Sequence, residues 1–334
     1  MCLYPRHVHN RRYIPNMKNG GTVPQIPDRR LLSAPIPCGR CMECKKQKYN
    51  EWRIRIIEEL KHDKDALFVT LTLSTQSLKD LVKDIHKTRP DLYGYDLDNA
   101  IATTATKRFL DRIKHSKRAK SVKHWLVTEL GHGETEHLHL HGFLWTADKT
   151  LLDRWNYGMT WVGSYATGKT ASYVTKYILK TDNTHREYKP IILCSPGIGK
   201  AYLDTRRAKE HRYKPGETRE QYVAPNGQRS ALPKYYRQKI YTEREREALW
   251  LEKLEKEKQY VLGEEVSTQG KAYAYLDAIK IARMKNHRLG YGTSRTNTNR
   301  KQYEQNMREK IQRKRLDTQT TKPDNDLAEP NNQG

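Results

Sequence analysis

His137-Leu138-His139-Leu140-His141-Gly142-Phe143-Leu144-Trp145 is the stretch that decides how the chain is read. Histidine and leucine alternate with period two, so in a strand His137, His139 and His141 point to one face and the leucines to the other. A row of imidazoles is a poor way to build a core. It is a good way to hold a divalent ion, because neutral imidazole nitrogens are common ligands. A solvated polar face is the bland reading of the same row. Just upstream, His124-Trp-Leu-Val-Thr-Glu-Leu130 reads as a second strand, and the turn-like Gly131–Glu136 between them predicts a hairpin. That pairing brings Glu129 beside the histidines as a third, carboxylate ligand.

Working outward, Ala66-Leu-Phe-Val-Thr-Leu-Thr-Leu73 is the best strand in the sequence, β-branched and aromatic. Its alternation puts Leu67, Val69, Leu71 and Leu73 on one face and Phe68, Thr70 and Thr72 on the other. A helix is expected over Asn99–His115, with Phe109, Leu110 and Ile113 as its apolar side. Downstream, a short Met159–Val162 strand precedes Ala171-Ser-Tyr-Val-Thr-Lys-Tyr-Ile-Leu-Lys180, which reads as a helix. The order strand, helix, hairpin, helix indicates an α+β domain whose antiparallel sheet is covered by helices.

The tyrosine helix carries the chemistry. Tyr173 and Tyr177 are four apart and share a helix face, and Lys176 and Lys180 follow them by three. A phenol is a weak nucleophile unless a metal or a cation assists it. An ion on His139, His141 and Glu129 could polarise a phosphate, with the lysines steadying charge. Two half-buried aromatics on an amphipathic helix are the structural alternative.

Composition bounds the partners. The chain has 334 residues, 63 Lys+Arg against 39 Asp+Glu, and a formal charge of +24. Its mean hydropathy is −0.97. An excess of this size points first to nucleic acid. No long apolar run or signal-peptide core argues for a membrane, so the chain is expected to stay in the compartment that made it. Five cysteines, three of them bunched as Cys38-Gly-Arg-Cys41-Met-Glu-Cys44, are no disulfide framework and fit a reducing cytoplasm. The bunched three could share a structural zinc with a fourth ligand such as Cys2, His7, His9 or Cys194, or could be reduced, packed thiols.

Four regions follow: a Cys-containing N-terminal arm and helix over 1–62, the catalytic domain over 63–205, a basic and mostly helical extension over 206–316, and a disordered polar tail over 317–334. Residues 1–37 read as irregular, and candidate helices fall at 243–258 and 271–287. The basic segment Arg283–Arg315 is expected to carry part of the nucleic-acid binding.

Phe-Val-Thr-Leu-Thr, then His-Leu-His-Gly, then Tyr-Val-Thr-Lys-Tyr-Ile-Leu-Lys resembles the three ordered motifs of HUH-superfamily rolling-circle replication initiators. More narrowly, with Cys-Gly-Arg-Cys-Met-Glu-Cys, Pro196-Gly-Ile-Gly199 and Leu232-Pro-Lys-Tyr-Tyr236, it resembles the replication initiation proteins of microviruses, small single-stranded-DNA phages. The resemblance covers roughly residues 30–250. It implies an HUH endonuclease fold with an RRM-like antiparallel core. It also implies an enzyme that nicks one strand at the origin, stays linked to the 5′ phosphate through tyrosine and rejoins ends to release single-stranded circles. Motif by motif, the metal ligands fall on His139 and His141 and the nucleophiles on Tyr173 and Tyr177, with His137 outside the pattern. Implied with these are a divalent ion (Mg or Mn), single-stranded and origin DNA, host helicase and polymerase as partners, and the bacterial host cytoplasm as location.

Gly163-Ser-Tyr-Ala-Thr-Gly-Lys169-Thr170 satisfies the P-loop pattern. A P-loop follows a buried parallel strand, and no later apolar run ends in a carboxylate, so no nucleotide is expected. Two other classes share parts of this reading: a non-catalytic nucleic-acid-binding protein, and a relaxase or transposase with the same chemistry.

Overall fold

The computed structural model describes residues 1–116, 121–131, 136–179, 184–268 and 272–317. The chain divides into two compact units, each assembled from separated segments. One holds Asp63–Tyr177, Glu187–Ile198 and the chain from Thr298 onward; the other holds Met1–His62, Ile178–Arg186 and Gly199–Asn297.

The first unit is α+β, built on a five-stranded sheet. From edge to edge its strands are Thr160–Val162, Ala66–Thr72, Leu138–Trp145, Lys123–Leu130 and Ile192–Cys194. Every neighbouring pair is antiparallel. The expected hairpin forms with Glu129 opposite His139 and Val127 opposite His141; on the other side Thr72 faces His139 and Thr70 faces His141. Gly131 N–H donates to the His137 carbonyl at 2.7 Å and closes the pair. Cross-strand partners share a face, so this register puts Glu129, His139, His141, Thr70 and Thr72 on one side of the sheet.

The opposite side is apolar. Leu67, Val69, Leu71, Leu126, Leu130, Leu138, Leu140 and Leu144 are buried in one core with two helices, Thr75–His86 and Gly94–His115. Burying each such leucine stabilises the fold by ~1.5–3 kcal/mol. The first helix presents Leu78, Leu81, Val82 and Ile85, and Ser74 caps it by accepting the Ser77 N–H at 3.2 Å. The sequence reading placed no helix there, although this spacing is amphipathic. The second helix starts at Gly94, five residues earlier than expected. Its free N–H groups are satisfied from far along the chain: Gly94 donates to Gln312 Oε1 at 2.9 Å and Tyr95 to Gln305 Oε1 at 2.8 Å.

Those glutamines lie on the helix Thr298–Asp317, which packs on Gly94–His115 through polar side chains. Arg308, 1% exposed, donates to Asp98 Oδ2 at 2.7 Å and to Glu136 Oε2 at 2.8 Å. Gln312 donates to Asp98 Oδ1 at 3.0 Å, and the Tyr95 hydroxyl to Glu304 Oε2 at 3.1 Å. The basic segment 283–315 is therefore split: its second half is an integral helix of the sheet-bearing unit rather than a free tail.

In the other unit, residues 1–37 are not wholly irregular, since Arg6–His9 pairs antiparallel with Ser33–Ile36. The long helix Met42–His62 follows, and a tyrosine-rich core gathers Ile54, Tyr202, Tyr222, Tyr236, Tyr241 and Leu249. Helices are found at Glu243–Glu255 and Ala272–Arg288, with the antiparallel pair Lys258–Val261 and Glu264–Ser267 between them.

Candidate active site

The polar face of the sheet is covered by the helix Gly168–Leu179. Thr167 and Thr170 start it, with Thr170 Oγ1 donating to the Thr167 carbonyl at 2.8 Å and Ala171 N–H to the same oxygen at 2.9 Å. Ala171, Val174 and Thr175 are fully buried, and Thr175 satisfies its hydroxyl on the Ala171 carbonyl at 2.7 Å. This orientation turns both tyrosines to the histidine strand. The Tyr177 ring stacks on His141, centroids 4.7 Å apart and planes 11° from parallel. Tyr173 meets Phe68 edge-on at 5.9 Å, and the Tyr177 hydroxyl donates to the Tyr173 hydroxyl at 2.8 Å.

Around His141 the groups converge from three strands. Its Nδ1 lies 3.0 Å from Thr70 Oγ1, and its Nε2 lies 3.0 Å from Glu129 Oε2. The second contact has ion-pair distance but no hydrogen-bond alignment, and Nε2 is buried. In the tautomer whose Nδ1–H donates to Thr70, the Nε2 lone pair faces the carboxylate, as two ligands of one cation would. An octahedral ion with bonds of ~2.1 Å spans ~3.0 Å along an edge between two ligands. His141 Nε2 and Glu129 are thus spaced as two ligands of one divalent ion would be. The His139 ring is 6.1 Å from that of His141, and burial, with His141 beside it, lowers its pKa to about 4. It is neutral at ordinary pH, the form that ligates a metal.

The two tyrosines are not equivalent. Tyr177 is half-buried, and burial first, then the Glu129 carboxylate and the bond to Tyr173, push its phenol pKa up. Tyr173 is 37% exposed, and its hydroxyl accepts the Tyr177 hydroxyl proton, so it is the more open of the two. Lys176 stands exposed on the same helix, and Lys180 lies outside the described residues. His137 sits just before the strand begins at Leu138.

Three contributors were not singled out from the sequence. Thr70 orients His141, Phe68 supports Tyr173, and Trp161, 43% exposed, packs edge-on against Phe68 at 5.5 Å. Their signal was the alternation that put Phe68 and Thr70 on the non-leucine face. Gly142 also has a structural reason. A Cβ there would fall 1.9 Å from the Trp125 carbonyl oxygen, a clash with backbone that cannot step aside. Thr160–Val162, before the P-loop-like segment, is an antiparallel edge strand paired with Ala66–Thr72. The buried parallel strand of a P-loop is not what precedes it.

Residues 66–182, which contain this whole face, match the family of the replication-associated protein ORF2. The chain resembles replication-associated proteins of small single-stranded-DNA phages. The replication-associated protein VP4 of Bdellovibrio phage phiMH2K is 26% identical over 231 residues, 62% of this chain and 67% of the relative. No solved structure matches. The matched stretch carries the histidine strand and both tyrosines.

Proposed function

We propose that this chain initiates rolling-circle replication as a metal-dependent HUH endonuclease and strand transferase, cutting one strand at the phage origin in the bacterial host cytoplasm. The observation that carries the reading is the stacking of Tyr177 on His141 with the Tyr173 hydroxyl 2.8 Å from that of Tyr177. Two candidate nucleophiles thus lie against the sheet face that carries the candidate metal ligands. His139, His141 and Glu129 would hold a magnesium or manganese ion, which supplies charge stabilisation at the scissile phosphate.

The chain's own residues divide the remaining work. Tyr173 oxygen attacks phosphorus, the bond from phosphorus to the 3′ oxygen breaks, and the phenol proton ends on the released 3′-hydroxyl or in water. The product is a 5′-phosphotyrosyl end that keeps the strand's energy for rejoining. Thr70 fixes the His141 ring, and Lys176 and Lys180 steady phosphate charge. Trp161 and Tyr165, the latter 76% exposed, offer ring faces to the bases of single-stranded DNA. A second cut, by Tyr177, releases a 3′-hydroxyl that attacks the Tyr173 phosphotyrosyl phosphorus, closing a unit-length circle and returning the Tyr173 phenol. Host helicase and polymerase supply the unwinding and synthesis between the two cuts.

The test is incubation of the full chain with circular single-stranded DNA and manganese, followed by denaturing gels and mass spectrometry of the adduct. A DNA-linked tyrosine peptide containing residue 173 or 177 is expected, absent from the Tyr173→Phe/Tyr177→Phe double variant. An adduct that survives in the double variant, or the absence of any adduct despite DNA binding, sinks the enzymatic reading and leaves a binding protein.

A further inference from the structure

The second unit contains a cluster that the nicking chemistry does not use. The sulfurs of Cys2, Cys38, Cys41 and Cys44 all lie within 4.8 Å of one another. Cys38 and Cys44 sulfurs are 3.9 Å apart. Four thiolates around one zinc, with bonds of ~2.3 Å, form a tetrahedron with edges of ~3.8 Å. A disulfide needs only two of these thiols, at ~2.05 Å, and gives no reason for four to meet at one point.

The backbone around the cluster is arranged for thiolates. Tyr4 and Cys38 N–H groups donate to Cys2 Sγ at 3.3 and 3.2 Å, and Cys41 N–H to Cys38 Sγ at 3.4 Å. Leu3 and Cys44 N–H groups point at Cys41, and Gly39 N–H at Cys44. The turn that does this needs Gly39, whose φ of +72° is the left-handed region. Cys41 and Cys44 flank the start of the helix Met42–His62, where the helix dipole favours negative charge. Leu3, Val261, Ile279 and Ala282 pack with the buried Cys41 and Cys44, while Cys2 and Cys38 are partly exposed. Cys194 belongs to the other unit, on its edge strand Ile192–Cys194.

We propose that Cys2, Cys38, Cys41 and Cys44 bind one structural Zn²⁺ that fastens the N-terminus to the head of the helix Met42–His62. The site is independent of the nicking reading. It is all-sulfur, whereas the histidine face offers nitrogen and oxygen donors.

The experiment uses the full chain purified without chelator. Elemental analysis should give one zinc per chain, and a mercurial titration should release it as four thiols react. Growth on cobalt should give the thiolate-to-cobalt charge-transfer bands of a tetrahedral sulfur site. Cys194→Ser should keep the full equivalent, and Cys2→Ser should lose most of it while the far-UV spectrum keeps its helical signal. If Cys2→Ser is insoluble, the wild-type and Cys194→Ser measurements decide alone. Zinc-free protein with freely reactive thiols, a mass two daltons low from a disulfide, or an equivalent of iron in place of zinc would each overturn the proposal.

Discussion

The two faces of the histidine strand make one comparison. Alternate residues of Leu138–Trp145 serve different ends: Leu138, Leu140 and Leu144 vanish into the core, while His139 and His141 meet Glu129, Thr70 and Tyr177. A shift of register by one residue would exchange them and destroy both at once. The leucine side supplies burial free energy, and the histidine side spends some of it on desolvated polar groups. The stable face is what lets the reactive face exist.

The sharpest way to break that division is to cut into each face separately. His141→Ala should slow nicking of a single-stranded oligonucleotide roughly a thousandfold, about 4 kcal/mol in the barrier. It should cost only ~1–2 kcal/mol of unfolding free energy in urea, for one lost hydrogen bond and its neighbours. Leu140→Ala should do the reverse, losing ~2–5 kcal/mol of stability while the folded fraction nicks within a few-fold of the parent rate. Equal losses of rate and stability in both variants would show that the faces are not separable.

Within the reactive face, the tyrosines sharpen the comparison. Tyr173→Phe should reduce first-round adduct formation by roughly ten- to a hundredfold, because Tyr177 is half-buried with its phenol held protonated. Tyr177→Phe should cut once at near the parent rate and fail to release closed circles. Single-turnover adduct yield and circle yield on circular DNA measure the two steps, and indistinguishable variants would mean that the difference in exposure carries no functional weight.

The smallest effect is on acid stability. His139 has a folded pKa of about 4, below the ordinary value of 6.5, because of burial and the neighbouring His141. The unfolded chain therefore binds the extra proton first, and metal-free protein should lose roughly 1–2 kcal/mol as pH falls from 6.5 towards 4. His139→Gln should flatten that part of the urea-midpoint profile, and an unchanged slope would assign it to other groups.

Much of this was legible in the sequence, for a local reason. Period-two alternation in 66–73, 124–130 and 137–145 fixes which residues share a face whatever the rest of the chain does. The four-residue spacing of Tyr173 and Tyr177 does the same on a helix. The helix Thr75–His86 is also written locally, as Ser74 before Leu78, Leu81, Val82 and Ile85. What could not be read is long-range. Nothing near Gly94 announces a helix start whose caps come from Gln305 and Gln312. The helix Thr298–Asp317 buries Glu304, Gln305, Arg308 and Gln312, a polar stripe that reads as solvated surface. No spacing rule chose Cys2 from among Cys2, His7, His9 and Cys194 as the thiol beside Cys38, Cys41 and Cys44.

The Arg308 contacts have a consequence for how the protein is made. Asp98 and Arg308 are 210 positions apart in the chain. At translation rates of ~5–20 residues per second, the ribosome delivers Arg308 roughly 10–40 s after its carboxylate partner. Until then Asp98 has no guanidinium, the Gly94 helix start has no caps, and Glu136, at the threshold of the histidine strand with φ of +41°, lacks the side chain that clasps it. The sheet-bearing unit therefore completes its fold late in synthesis. A nascent fragment stopped before residue 298 would carry every candidate nicking residue in its sequence and lack the Arg308 clasp at the head of the histidine strand.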